Sequence, residues 1–166
     1  SLPANSIGVG KVSGVYQSLI FCGENAENGT TFFGPATASL GGNWATPVNL
    51  ASAGCDALDN TTEATADAPI STLATKVNGF RCETDGVLGA GETIVFTLRT
   101  GAANAITTDG SQTTLTCTIG EAETECRNIA GTTTNIVAGA TLAMQVVETS
   151  NNADDNSWCT ATVSWP

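Results

Sequence analysis

Histidine is absent from this chain. That absence removes Ser-His-Asp and Cys-His nucleophile pairs and every imidazole-bound metal centre, because each needs an imidazole to move a proton or bind the ion. Cations are scarce as well: five Lys and Arg stand against sixteen Asp and Glu, a formal net charge of −11. This balance argues against nucleic acid and anionic membrane as partners, since both are bound by Lys/Arg clusters that displace counterions. No apolar run reaches the roughly 18 residues of a membrane-crossing helix. No 3.6-residue apolar stripe of useful length occurs either, although 51–57 could hold one helical turn. Repeats at a fixed period are missing, which argues against a solenoid or propeller within the chain. The start, Ser1-Leu-Pro-Ala, lacks a basic, apolar leader, so a removed signal peptide or a trimmed end is expected.

What the chain does contain is Thr, Ala and Gly in quantity, with charge concentrated between short β-type runs. Its 166 residues suit one domain with a real core, and composition does not break along it. Candidate strands are 7–12, 15–22, 30–33, 71–82, 93–100, 113–119, 124–129, 135–137, 140–149 and 158–165. So many short strands predict two packed antiparallel sheets, an all-β sandwich. Alternation is clearest at Ile94, Phe96 and Leu98, at Leu115, Cys117 and Ile119, and at Leu142, Met144 and Val146, which are expected to face the core. We divide the chain into an N-terminal extended segment, 1–20, and a sandwich domain, 21–166, whose long acidic connection at 41–67 invites a functional reading.

Six cysteines without CxxC or Cys/His metal spacing predict three disulfides and an oxidising compartment. In TCTIGEAETEC, a two-residue turn at Glu121 and Ala122 would set Cys117 directly across from Cys126, within disulfide reach. Cys22, Cys55, Cys82 and Cys159 then allow three connectivities, of which Cys22 with Cys55 and Cys82 with Cys159 is favoured.

Carboxylates are the remaining candidates for chemistry. Solvated loop charge is the favoured reading of Asp56 with Asp59 and of Asp154 with Asp155; calcium held with nearby Asn and carbonyl oxygens comes next, and a glycosidase pair last. No other cofactor is expected. Trp44, in the long connection, is the best candidate for a ligand or subunit contact. Trp158 and Trp165 lie an odd number of residues apart, so a regular strand would turn them to opposite faces. Asn28 and Asn60 head glycosylation sequons, and Asn28-Gly29 also suits a hairpin turn. The run from Ser6 to Val15, with Ile7, Val9 and Val12 and little bulk between, could be the first strand of its own sandwich or a strand donated to a neighbouring copy.

Thr97-Leu-Arg-Thr100, Thr113-Thr-Leu-Thr-Cys-Thr-Ile119, Glu125-Cys126 and Asn135-Ile-Val-Ala-Gly-Ala-Thr-Leu142 together resemble small β-sandwich proteins of phage and environmental bacterial genomes. The same C-terminal half loosely resembles jelly-roll heads of the tumour-necrosis-factor and C1q type. Ala140 stands where that pattern has Asp. The resemblance implies a jelly-roll-like fold in an external, assembly-prone setting, and no catalytic residue comes with it. The combined expectation is a non-enzymatic structural subunit, extracellular or on a cell or virion surface, whose partners are copies of itself. A carbohydrate-binding module using Trp44 or Trp158 is the alternative.

Overall fold

The computed structural model describes residues 16–24, 29–36, 59–60, 68–69, 75–102, 111–128, 134–149 and 156–164. Twelve strands occupy them: β1 (Tyr16–Glu24), β2 (Thr30–Phe33), β3 (Pro35–Ala36), β4 (Asp59–Asn60), β5 (Ala68–Pro69), β6 (Thr75–Thr84), β7 (Thr93–Thr100), β8 (Ser111–Ile119), β9 (Glu125–Asn128), β10 (Thr134–Ile136), β11 (Thr141–Thr149) and β12 (Asn156–Ser164). No helix among the described residues is long and apolar enough to cross a membrane.

The strands form two sheets. Sheet A runs β10-β6-β12-β1-β3, with β9 also on β6; sheet B runs β4-β2-β11-β7-β8, with β5 also on β11. Every pairing is antiparallel. Among the eight principal strands, the first pairs the last (β1 with β12), the second the seventh (β2 with β11), the third the sixth (β6 with β9), and the middle two pair each other (β7 with β8). That nesting is an antiparallel ribbon folded over on itself, the jelly-roll arrangement. The fold is therefore the expected disulfide-stapled, jelly-roll-like β-sandwich.

Period-two alternation builds the core. On β7, Ile94, Phe96 and Leu98 are buried while Thr93, Val95, Thr97 and Arg99 are partly exposed. Opposite faces of a strand take successive side chains, so one apolar residue in two is enough to pave an inner surface. Phe21, Phe33, Phe80, Leu115, Ile119, Leu142 and Met144 complete that surface, all at 2% exposure or less. Each such side chain stabilises the fold by roughly 1.5 to 3 kcal/mol relative to its exposed state. Register between β6 and β12 shifts between Ala161 and Val163. Gly79 lies on the opposite strand there with φ 140°, a backbone state that side chains rarely tolerate.

The chain crosses between sheets at both sides of the sandwich. β2 belongs to sheet B and β3 to sheet A, with only Gly34 between them. On the far side β8 lies in sheet B and β9 in sheet A. The strand β1 runs unbroken through the boundary placed between residues 20 and 21, so residues 16–20 belong to the sandwich. Residues 1–15, including the expected 7–12 strand, lie outside the described residues.

Candidate functional site

The corner between β8 and β9 departs from the sequence expectation in an informative way. Cys117 and Cys126 are joined, with Cα atoms 5.8 Å apart. They are not facing residues of one hairpin ladder, however. Cys117 pairs with Phe96 on β7, and Cys126 pairs with Cys82 on β6, so the disulfide ties one sheet to the other. The turn is the expected local one, and the long-range pairing of β9 with β6 makes the difference. Glu123 N–H bonds to Gly120 O at 3.1 Å, and Ala122 takes a positive φ of 62°, placing Glu121 and Ala122 at the centre of a four-residue turn. From there the chain joins the edge of β6 instead of returning along β8. Asn128 spans the same corner by donating from Nδ2 to the Thr116 carbonyl at 2.8 Å.

The second disulfide lies inside sheet A. Cys82 and Cys159 are register partners on β6 and β12, joined with Cα atoms 4.0 Å apart. Cys82 also opposes Cys126 on its other flank. Phe21, Cys159, Cys82 and Cys126 thus form one inward-facing row across β1, β12, β6 and β9. Cys22 is disulfide-bonded and pairs with Trp158, on the face opposite to that row. Cys55, its expected partner, lies outside the described residues.

The rim of sheet B carries the feature best suited to contact with another molecule. β8 is nine residues long, with neither a charged residue nor a proline. Among the described residues, no strand pairs with it on the side away from β7. Soluble monomers usually blunt such an edge with Lys, Pro or a bulge; β8 has neither Lys nor Pro, and its register against β7 shifts between Gln112 and Thr116. Gln112, Thr114, Thr116 and Thr118 are exposed along it. A polar lattice holds the outer face beside the edge. Thr97 and Thr116 share a hydroxyl contact at 3.2 Å, and Thr93 and Thr149 another at 2.6 Å. Gln112 Nε2 donates to Gln145 Oε1 at 3.0 Å, Arg99 Nη1 donates to the same oxygen at 3.3 Å, and the Arg99 guanidinium stands 5.8 Å from the centre of the Phe32 ring. Side chains fixed in this way lose less freedom when a partner docks.

A second constellation occupies the outer face of sheet A. Trp158, partly exposed on β12, donates its indole N–H to Glu83 Oε2 at 2.7 Å. Glu83 opposes Glu125, and Arg81 opposes Arg127, across β6 and β9. Arg81 pairs with both Glu83 and Glu125, and Arg127 pairs with Glu125. Hydrogen bonds from Arg81, then from Arg127, hold the Glu125 carboxyl below the usual carboxylate range, and the bond to Glu125 raises the Arg81 guanidinium above its ordinary value. The ionised form of Glu125 is thus the favoured one. Spacing of i, i+2 in Arg81/Glu83 and in Glu125/Arg127 puts each pair on one face of its strand, a signal present in the sequence. That the two strands are neighbours is not.

Other expected sites are separated from this picture. Ile7, Val9, Val12, Trp44, Asn28, Asp56, Asp154, Asp155 and Trp165 lie outside the described residues. Asp59 and Asn60, expected in a loop, belong to β4, where their backbones pair with Phe33 and Phe32.

No protein-family model matches the chain, and no curated protein matches it. The resemblance to tumour-necrosis-factor and C1q heads therefore has no family match behind it. Among solved structures, the cyanophage Pam1 capsid asymmetric unit aligns over 100% of this chain and 94% of its own, at 17% identity and a TM-score of 0.41. A likeness at that level assigns neither fold nor function.

Proposed function

We propose that the chain is a non-enzymatic structural subunit of an extracellular or virion-surface assembly, in which copies meet along the β8 edge. The observation that carries this reading is the length and chemistry of that edge: nine residues, no charge, no proline, beside a Thr/Gln face whose side chains are already fixed. Backbone groups on an edge strand recognise another strand by the same ladder that builds the sheet, and small Thr side chains let the two approach closely. Disulfides suit a particle that must keep its shape outside the cell. To test it, Thr114 and Thr116, both exposed, would be changed to Lys, and particle size followed by light scattering and electron microscopy. Loss of higher-order particles with an unchanged circular-dichroism spectrum supports the edge; unchanged particles refute it.

The second reading is glycan binding on the outer face of sheet A. Its specific support is Trp158, whose ring orientation is set by Glu83 and whose neighbours on β6 and β9 are hydrogen-bonding Arg and Glu side chains. A chain that stays monomeric and loses polysaccharide retention on Trp158→Ala would favour it. Calcium at Asp56, Asp59, Asp154 and Asp155 belongs to this reading, and chelator would then weaken retention.

A further inference from the structure

The Cys82–Cys159 and Cys117–Cys126 disulfides are neighbours. The Sγ atoms of Cys82, Cys117 and Cys126 all lie within 4.8 Å of one another. Cys82 is the centre of the arrangement because β6 lies between β12 and β9, giving it Cys159 as register partner on one side and Cys126 on the other. Thiol–disulfide exchange proceeds by attack of a thiolate on a disulfide sulfur from the side opposite the leaving sulfur. The row Cys159, Cys82, Cys126 has that order built into the sheet. Access is unequal: Cys82 and Cys159 are fully buried at 0% exposure, whereas Cys117 and Cys126 reach 9% at the corner.

We propose that Cys82 is a disulfide-exchange centre through which the bond tying β8 to β9 can be passed into sheet A. A small-molecule thiol, as thiolate, attacks Cys117 Sγ at the corner. A mixed disulfide forms on Cys117, the Cys117–Cys126 bond breaks, and Cys126 leaves as thiolate. That thiolate attacks Cys82 Sγ, forming Cys82–Cys126 and breaking Cys82–Cys159, and Cys159 takes up the proton. Two disulfides and one thiol enter, and two disulfides and one thiol leave, so no oxidant or reductant is consumed. The product keeps β6 and β9 joined within sheet A but frees β8 from its covalent tie to β9. The exchange is a property of the single chain and does not rest on assembly through β8. Any effect of the freed edge on assembly does rest on that reading, and the tests below are made on the chain alone.

The direct test is Cys117→Ser, which leaves Cys126 as a thiol beside the intact Cys82–Cys159 bond with no added reductant. After alkylation at neutral pH and non-reducing peptide mapping, label should be shared between Cys126 and Cys159 within about a tenfold ratio, the spread that ~1.4 kcal/mol between the two isomers produces. A Cys82–Cys126 cross-linked peptide should accompany the Cys159 label. Label confined to Cys126 would overturn the proposal. A second measurement covers failure of that variant to fold: the unaltered protein is exposed to reduced glutathione as probe and quenched with alkylating agent. The expected products include one that carries glutathione on Cys117, a Cys82–Cys126 link and an alkylated Cys159. If every glutathione-bearing product keeps Cys82 linked to Cys159, the proposal is refuted.

Discussion

Ala122 donates its backbone N–H to the Leu88 carbonyl at 3.1 Å, docking the turn after β8 against the loop that precedes β7. The two segments are built alike. Gly89-Ala-Gly-Glu92 and Gly120-Glu-Ala-Glu123 each close with a bond from the fourth N–H to the first carbonyl, and each returns the fourth residue's carboxylate to the first N–H, at 2.6 Å from Gly89 and 3.0 Å from Gly120. They differ at the third position, where Gly91 has φ 78° and Ala122 has φ 62°.

Glycine adopts that left-handed state freely, whereas a Cβ makes it cost roughly 1 to 2 kcal/mol. Ala122→Gly should therefore stabilise the fold by about 0.5 kcal/mol once the greater freedom of glycine in the unfolded chain is subtracted. Urea unfolding, with a raised midpoint and unchanged slope, checks it. A lowered midpoint would show that the Ala122 methyl does more than occupy the turn.

The disulfides close loops of unequal size, with sequence separations of 77 for Cys82–Cys159 and 9 for Cys117–Cys126. In the chain-entropy picture removing the first destabilises by ~4.5 kcal/mol and the second by ~2.6 kcal/mol. Replacing both cysteines of a pair with Ala avoids stray thiols. Thermal unfolding should then rank the Cys82/Cys159 double variant below the Cys117/Cys126 one, and the reverse order would point to a dominant enthalpic role for the inter-sheet bond.

Phe96 is completely buried on β7, an interior strand of sheet B, while Thr160 is exposed on β12. Phe96→Ala should cost about 3 to 5 kcal/mol through lost burial and the cavity left behind. Thr160→Ala should stay within about 0.5 kcal/mol of the parent. Denaturant unfolding of the two variants side by side gives the comparison.

The Arg81, Glu83, Glu125, Arg127 network predicts a pH response with a definite sign. Glu125 titrates lower in the folded chain than in the unfolded one, so its contribution is present above the ordinary carboxylate value and fades as pH falls through its depressed one. Glu125→Gln should remove that acid-limb sensitivity, and added salt should weaken it in the parent because these groups are solvent-exposed. Matched pH titrations of stability at low and high salt decide the matter; identical acid limbs for parent and variant would count against it.

Alternation of apolar and small polar residues is a local property, and the chain by itself determined where its longer described strands lie, whereas the two-residue strands β3, β4 and β5 were not expected. The expected 30–33 and 93–100 coincide with β2 and β7, and 140–149 differs from β11 by one residue. The inward set Ile94, Phe96 and Leu98 was equally legible, because a strand turns alternate side chains to one face whatever it pairs with. Six cysteines without histidine likewise fixed the oxidised chemistry. Sheet membership was decided only by the tertiary structure. β8 and β9 are separated by a single turn, which by local rules makes a hairpin, yet long-range pairing of β9 with β6 draws them into different sheets. That pairing depends on which distant edges are open once β1 has joined β12 and β7 has joined β11, and nothing within TCTIGEAETEC encodes it. The same long-range choice left β8 as the long uncharged rim of sheet B and brought Cys82 between two disulfide partners.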